Sequence, residues 1–233
     1  MTDTCTYAGG PGFMLALEAR AGGLDEPDLN TAITAAREEY QAAAPDARRV
    51  WPDAAAYGWA RLAADPVTGW EWASDVRRLA ILATVIESRP AQAARMILTC
   101  TLAPDTPTLA DMRHMLGDER PVDFDRLLDD LLHGPDALMP DDEMLAARIV
   151  TAENILDPIA ENAPTDVDYS IMPVRAAFRF ARGDTAGAMG MIAECRPHLG
   201  SPGLADAVEA QAMARVQTDD GSGMGMTMSG PRL

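Results

Sequence analysis

The pattern that most restricts this chain is helical. Apolar residues recur three and four positions apart in segment after segment, and proline or glycine cuts each segment off. Sustained alternation of apolar and polar residues, the mark of a half-buried strand, does not occur in the sequence. A chain punctuated in this way is expected to coil into helices joined by short turns, with neighbours packed antiparallel. The expected fold class is all-α, with helix pairs stacked as an irregular α-solenoid or gathered into a multi-helix bundle. No strict 34-residue repeat is visible, so any repeat is degenerate.

Particular residues set the expected boundaries. A first helix is expected from Phe13 to Ala21, stopped by Gly22-Gly23. The next starts near Pro27, with Leu29, Ile33, Ala36 and Tyr40 on one stripe, and ends at Pro45. Pro52 is expected to open a helix that reaches Ala64. A longer one runs from Gly69 to Ser88 with Leu79, Leu82, Ala83 and Ile86 as its buried face, and another from Pro90 to Leu102. The clearest amphipathic segment follows: Phe124, Leu127, Leu128, Leu131 and Leu132 share one face and Asp123, Asp125, Asp129 and Asp130 the other. Pro158 should bend or end the helix that begins near Pro140, and Pro173 should lie in or near a first turn. Helices from Thr185 to Cys195 and from Leu204 to Val216 complete the array. By domain, residues 1–12 read as a flexible lead-in and 13–217 as one helical domain with a candidate sub-boundary at 103–107. Residues 218–233 read as a disordered, low-complexity tail.

Charge narrows the function. The 233 residues carry 36 acidic and 19 basic side chains, a net charge of −17, and every one of the cations is arginine. A surface of this sign repels phosphate backbones and anionic lipid, so neither nucleic acid nor membrane is an expected partner. The absence of lysine reads most simply as the coding bias of a GC-rich genome. Escape from lysine-directed modification and adaptation to salt are the alternatives. Cys5, Cys100 and Cys195 are odd in number and widely spaced, which fits a reducing compartment better than a disulfide framework. With no basic and apolar leader and no long apolar run, a cytoplasmic location is expected.

The segment Ala177-Phe178-Arg179-Phe180-Ala181-Arg182-Gly183-Asp184-Thr185-Ala186-Gly187-Ala188-Met189 resembles the turn of a tetratricopeptide helix pair. Ala188 and Ile192 stand where that pattern has a small and then a large apolar residue. No Trp or Tyr holds its first-helix position, and Phe180 is one place off. A wider likeness covers residues from about Met139 to Ala207, through Asn162-Ala163-Pro164, Asp168-Tyr169, Pro173 and Ala181-Arg182-Gly183-Asp184. It is similar to the helical C-terminal half of an actinobacterial family of unknown function, whose usual α/β N-terminal half has no counterpart here. The resemblance implies an actinobacterial source and a tetratricopeptide-like region, and no catalytic residues.

Candidate sites are few. All four tryptophans lie between Trp51 and Trp72, with Tyr57 among them. Trp51, Tyr57, Trp59, Trp70 and Trp72 are therefore the candidate interface residues, because Trp and Tyr anchor many interfaces. The competing reading is an aromatic plug between crossing helices, with Trp51, Ala55, Trp59 and Leu62 on one buried face. Trp70 and Trp72 cannot share a helix face. Asp125, Asp129 and His133 form a polar stripe, an incomplete shell for a divalent ion and more simply a solvated face. Cys195-Arg196-Pro197-His198 has the spacing of half a zinc site without a second half. Gly9-Gly10-Pro11-Gly12 lacks the preceding strand and the lysine of a phosphate loop. No Gly-x-Ser-x-Gly elbow occurs, and three histidines restrict general-base chemistry.

These observations favour a non-enzymatic helical-repeat protein that binds a protein or peptide, expected to be basic, with no cofactor and no metal. The alternatives are an enzyme whose site is built from scattered carboxylates and a homo-oligomer joined through the tryptophan segment.

Overall fold

The computed structural model describes residues 28–64, 75–105, 107–134, 137–139, 142–163, 165–200 and 203–222. Among them every regular element is helical: α1 (Leu29–Ala42), α2 (Pro45–Arg48), α3 (Val50–Ala64), α4 (Val76–Ser88), α5 (Pro90–Leu102), α6 (Leu109–Gly117), α7 (Phe124–His133), α8 (Glu143–Asn162), α9 (Thr165–Ala181), α10 (Thr185–Cys195), a 3₁₀ turn (Arg196–His198) and α11 (Gly203–Ser222). The helix expected over Phe13–Ala21 and the 1–12 lead-in lie outside the described residues.

The centre is the α4–α5 hairpin, joined through Arg89 alone with Pro90 opening α5. Every residue from Leu79 to Ile86 is buried, so α4 is covered on all sides and not on one stripe. It touches α1, α3, α5, α8 and α9, while α5 touches α3, α4, α6, α7, α8 and α9. A one-dimensional stack would confine each helix to its neighbours along the array. These contacts close the array into a multi-helix bundle, with α10 and α11 packed over α9 and α11 also resting on α7. Packing of α8 and α9 onto α4 and α5 crosses the 103–107 segment freely, so Ala103–Asp105 acts as a turn.

The two signs of charge are allotted to opposite helix ends. Asp28, Asp75, Asp123, Asp142 and Asp184 each accept a backbone N–H at the start of a helix, and Thr108 forms a capping box with Asp111 at the start of α6. At or near the other ends, four guanidinium groups donate to backbone carbonyls, where helix geometry leaves acceptors to spare. Arg48 reaches Gln41 in the last turn of α1 and Ala43 just beyond it, and Arg89 reaches Leu116 on α6. Arg148 holds Ala103 and Pro104 at the end of α5, and Arg215 holds Phe180 near the end of α9. Both allotments also suit the helix dipole.

Three boundaries differ from expectation, and in the first two tertiary packing outweighs a local signal. α8 passes through Pro158 to Asn162, since Ile155, Leu156 and Ile159 bury one continuous face across it. α9 starts at Thr165, which places Pro173 in its interior, where Val167, Ile171, Val174 and Phe178 hold both halves to the core. α11 continues past Val216 to Ser222, into the stretch expected to be disordered. The α9–α10 turn follows its sequence closely. Gly183 takes φ +83°, Asp184 N–H donates to the Arg179 carbonyl and Gly183 N–H to that of Phe180, and Asp184 then caps α10 through Gly187. That is a glycine-closed helix end running directly into a capped start.

Candidate functional site

The aromatic candidates divide by helix face. Trp51 and Trp59 are 3% and 1% exposed, on the inward side of α3 with Ala55. The ring of Tyr40 meets Trp51 edge-on at 5.5 Å, and Arg48 lies over Tyr40 at 5.5 Å. Both tryptophans are buried core residues of α3, Trp51 beside Tyr40 of α1, and they offer no surface to a partner. Tyr57, nearly opposite Trp59 on the helix, is 42% exposed. Trp70 and Trp72 lie outside the described residues.

The stripe on α7 is open to water. Asp129 and His133 approach at 3.5 Å, Asp130 pairs with Arg126 at 3.7 Å, and Asp125 stands exposed beside them. Among the described residues no group of three His, Cys, Asp or Glu side chains is placed to hold a metal ion. Cys195 and His198 part company. The thiol is buried and donates to the Ile192 carbonyl at 3.6 Å, while the exposed imidazole stacks on Tyr169 at 4.0 Å with ring planes 6° apart. Burial pushes the Cys195 thiol up, and it pushes Cys100 up to about 12 although Arg148 pulls the other way. Both are inert core thiols, not nucleophiles. Cys5 lies outside the described residues.

Sequence reasoning missed the corner around Asp168. Desolvation raises that carboxyl and Glu194 on α10 raises it further, while Arg175 opposes them. Arg175 is itself paired with Asp157 at 2.6 Å. One turn away, Arg196 joins Asp206 at 2.7 Å and Glu209 at 2.5 Å, fastening the 3₁₀ turn to α11. Glu194 and the His198 ring stacked on neighbouring Tyr169 are exposed, so the corner is an open ledge. The deeply buried polar side chains among the described residues are Thr84, Thr101 and Thr151, and each donates to the carbonyl four residues back. Only the C-terminal turn of α10 brings Asp168 near Glu194, and no spacing along the chain announces that meeting.

On the outer surface several arginines are paired with carboxylates. Arg95 and Arg120 converge on Asp118, Arg113 meets Asp53, Arg37 meets Glu87, and Arg179 meets Asp184. With the four carbonyl-bound guanidiniums, much of the positive charge is committed within the molecule. Asp46, Asp105, Glu119, Asp125, Glu143 and Glu161 face solvent. No described helix is long and apolar enough to cross a membrane. Comparison of the chain with family models, with curated proteins and with solved structures finds no match.

Proposed function

We propose that this chain is a non-catalytic helical binding protein whose acidic exterior holds a basic protein or peptide segment. The observation that carries this reading is the net charge of −17, with many of the arginines committed to carbonyls and carboxylates of the chain itself, which leaves an outward field set by aspartate and glutamate. Such a field draws in cationic partners and repels nucleic acid and anionic lipid. The α9–α10 pair, with Ala188 and Ile192 buried across the Gly183 turn, supports a tetratricopeptide-like unit within the bundle. The reading includes a cytoplasmic location, where buried thiols stay reduced.

A fluorescent oligo-arginine peptide tests the central claim. Titrated at low salt it should bind, and near 0.5 M salt, where screening acts over about 4 Å, affinity should fall at least ~10-fold. No binding at low salt, or binding indifferent to salt, would overturn the reading.

A further inference from the structure

We propose that the docking face for the basic segment is the outer side of α8, along the ridge Met144–Ala147–Val150, and that the segment docks there as an amphipathic helix. This rests on the reading of a basic partner and adds where and in what form that partner binds.

The inner side of α8 is fully used. Leu145, Ile149, Ala152, Ile155, Leu156 and Ile159 are buried in the core that α1, α3, α4, α5 and α9 share with α8. The outer side is left with apolar surface. Met144 and Val150 are each 46% exposed, Ala147 between them is exposed, and Met139 just before the helix is 65% exposed. The other exposed large apolar side chains among the described residues are Tyr57, Met213 and Val216. Scattered exposed apolar residues are ordinary on any surface. Here, however, positions 144, 147 and 150 are three apart, and a row of that spacing is the inclined ridge that one helix offers to the groove of another.

Charge decides the occupant. Asp142 and Glu143 stand at one end of the ridge, Glu153 is the next position along the same row, and Glu161 is exposed at the far end of the helix. Of the cations around α8, Arg148 directs its guanidinium to the carbonyls of Ala103 and Pro104, and Arg175 is paired with Asp157. An apolar row with acid at its ends matches a helix that carries an apolar stripe flanked by Lys or Arg. A second copy of this chain would set Glu143, Glu153 and Glu161 against like charges in a molecule of net −17. An anionic lipid surface meets the same repulsion.

The test uses a synthetic leucine–lysine peptide with its leucines at helical spacing, beside a scrambled peptide of identical composition. Fluorescence anisotropy at low salt should show the amphipathic peptide binding at least ~10-fold tighter than the scrambled one. Val150→Glu should weaken the amphipathic peptide about tenfold, although it adds a negative charge; Tyr57→Glu should not. Ala147→Glu serves as the second variant if Val150→Glu fails to fold by circular dichroism. Should both peptides bind alike and Val150→Glu leave binding unchanged or tighter, the α8 face is overturned while the acidic-exterior reading stands. Should neither peptide bind, both fall. A wild-type chain that scatters light as a dimer, with Val150→Glu a monomer, would assign the ridge to self-association and overturn the proposal.

Discussion

The α4–α5 hairpin and helix α7 make opposite use of the same kind of apolar residue. α7 buries Phe124, Leu128 and Leu131 on one side and holds Asp125, Asp129 and Asp130 in water on the other. α4 has no watery side along its middle, where even Thr84 is 1% exposed. The helix with the cleanest stripe is therefore a rim element, and the helix with the more diffuse pattern is the centre. An amphipathic stripe records that a helix has a solvent side, not that it matters most to the core.

Removing side chains at the two places should separate them widely. Leu82→Ala on α4 deletes a side chain that is 0% exposed at the centre of the bundle. It should cost about 3 kcal/mol of unfolding free energy, within the range for buried leucines. Leu127→Ala on α7, at a partly buried position, should cost about 1 kcal/mol. Urea titration of the two variants is the check, and equal losses would mean that α7 is as central as α4.

That contrast also measures how far the sequence could be read. Helix identity, most turns and the all-α class were legible because apolar spacing, Asp caps and Pro–Gly punctuation act locally. The α7 stripe was legible in outline: Phe124, Leu128 and Leu131 are buried, and Leu127 and Leu132 partly so. The burial of Ala80, Ile81 and Val85 was not, because a helix surrounded by others has no polar face to set a phase. Pro158 and Pro173 misled for a related reason: a proline signal is local, and Ile155, Ile159, Ile171 and Val174 answer it from across the core. Among the aromatic candidates, spacing could put Trp51 and Trp59 on one face, but only the helices packed on α3, chiefly α6 and α4, fix that face as inward. The arginine forks at helix ends leave no trace in sequence, since Arg148 lies 45 positions from Ala103.

Those forks give the next effect in size. Arg148 ties rim helix α8 to the end of central helix α5, so Arg148→Met strands two carbonyls and should cost about 2 kcal/mol. Arg148→Lys keeps the charge but loses the planar fork and should recover less than half of that. Arg126→Met on α7, where the side chain is 80% exposed, should change stability by no more than about 0.5 kcal/mol. Thermal melts of the three would show whether guanidinium geometry, and not charge, joins rim to centre. Smaller still is Gly183→Ala. Nothing crowds the missing Cβ, so the cost is the left-handed backbone itself, about 1 kcal/mol. An unchanged melt would mean that this turn relaxes.

The smallest effects concern pH, and two aspartates should answer with opposite signs. Asp118 accepts from the Arg120 guanidinium, from the Arg120 backbone N–H and from Arg95, which holds its carboxyl far below the ordinary range. The unfolded chain has no such partners and takes up the proton first as pH falls below about 4. The stability Asp118 supplies is therefore complete above the ordinary carboxylate range and is lost as acid moves through it toward the folded value. Asp168 is raised by desolvation and by Glu194, so its ionised form disfavours the fold. Its contribution is present below the unfolded pKa and disappears as pH rises through the folded one. Asp168→Asn should accordingly raise the melting temperature at pH 7, and Asp118→Asn should lower it. The Asp168→Asn difference should vanish near pH 3, where that carboxyl is already protonated. The Asp118→Asn difference should shrink over the same descent. Arg120 is 76% exposed, so salt should damp the Asp118 effect. Melts of both variants across pH 3 to 7 would expose any failure as two differences of the same sign. In that case the Asp168 ledge would be as well paired as the Asp118 hub, and an ionisable site on the α9–α10 corner would lose its physical basis.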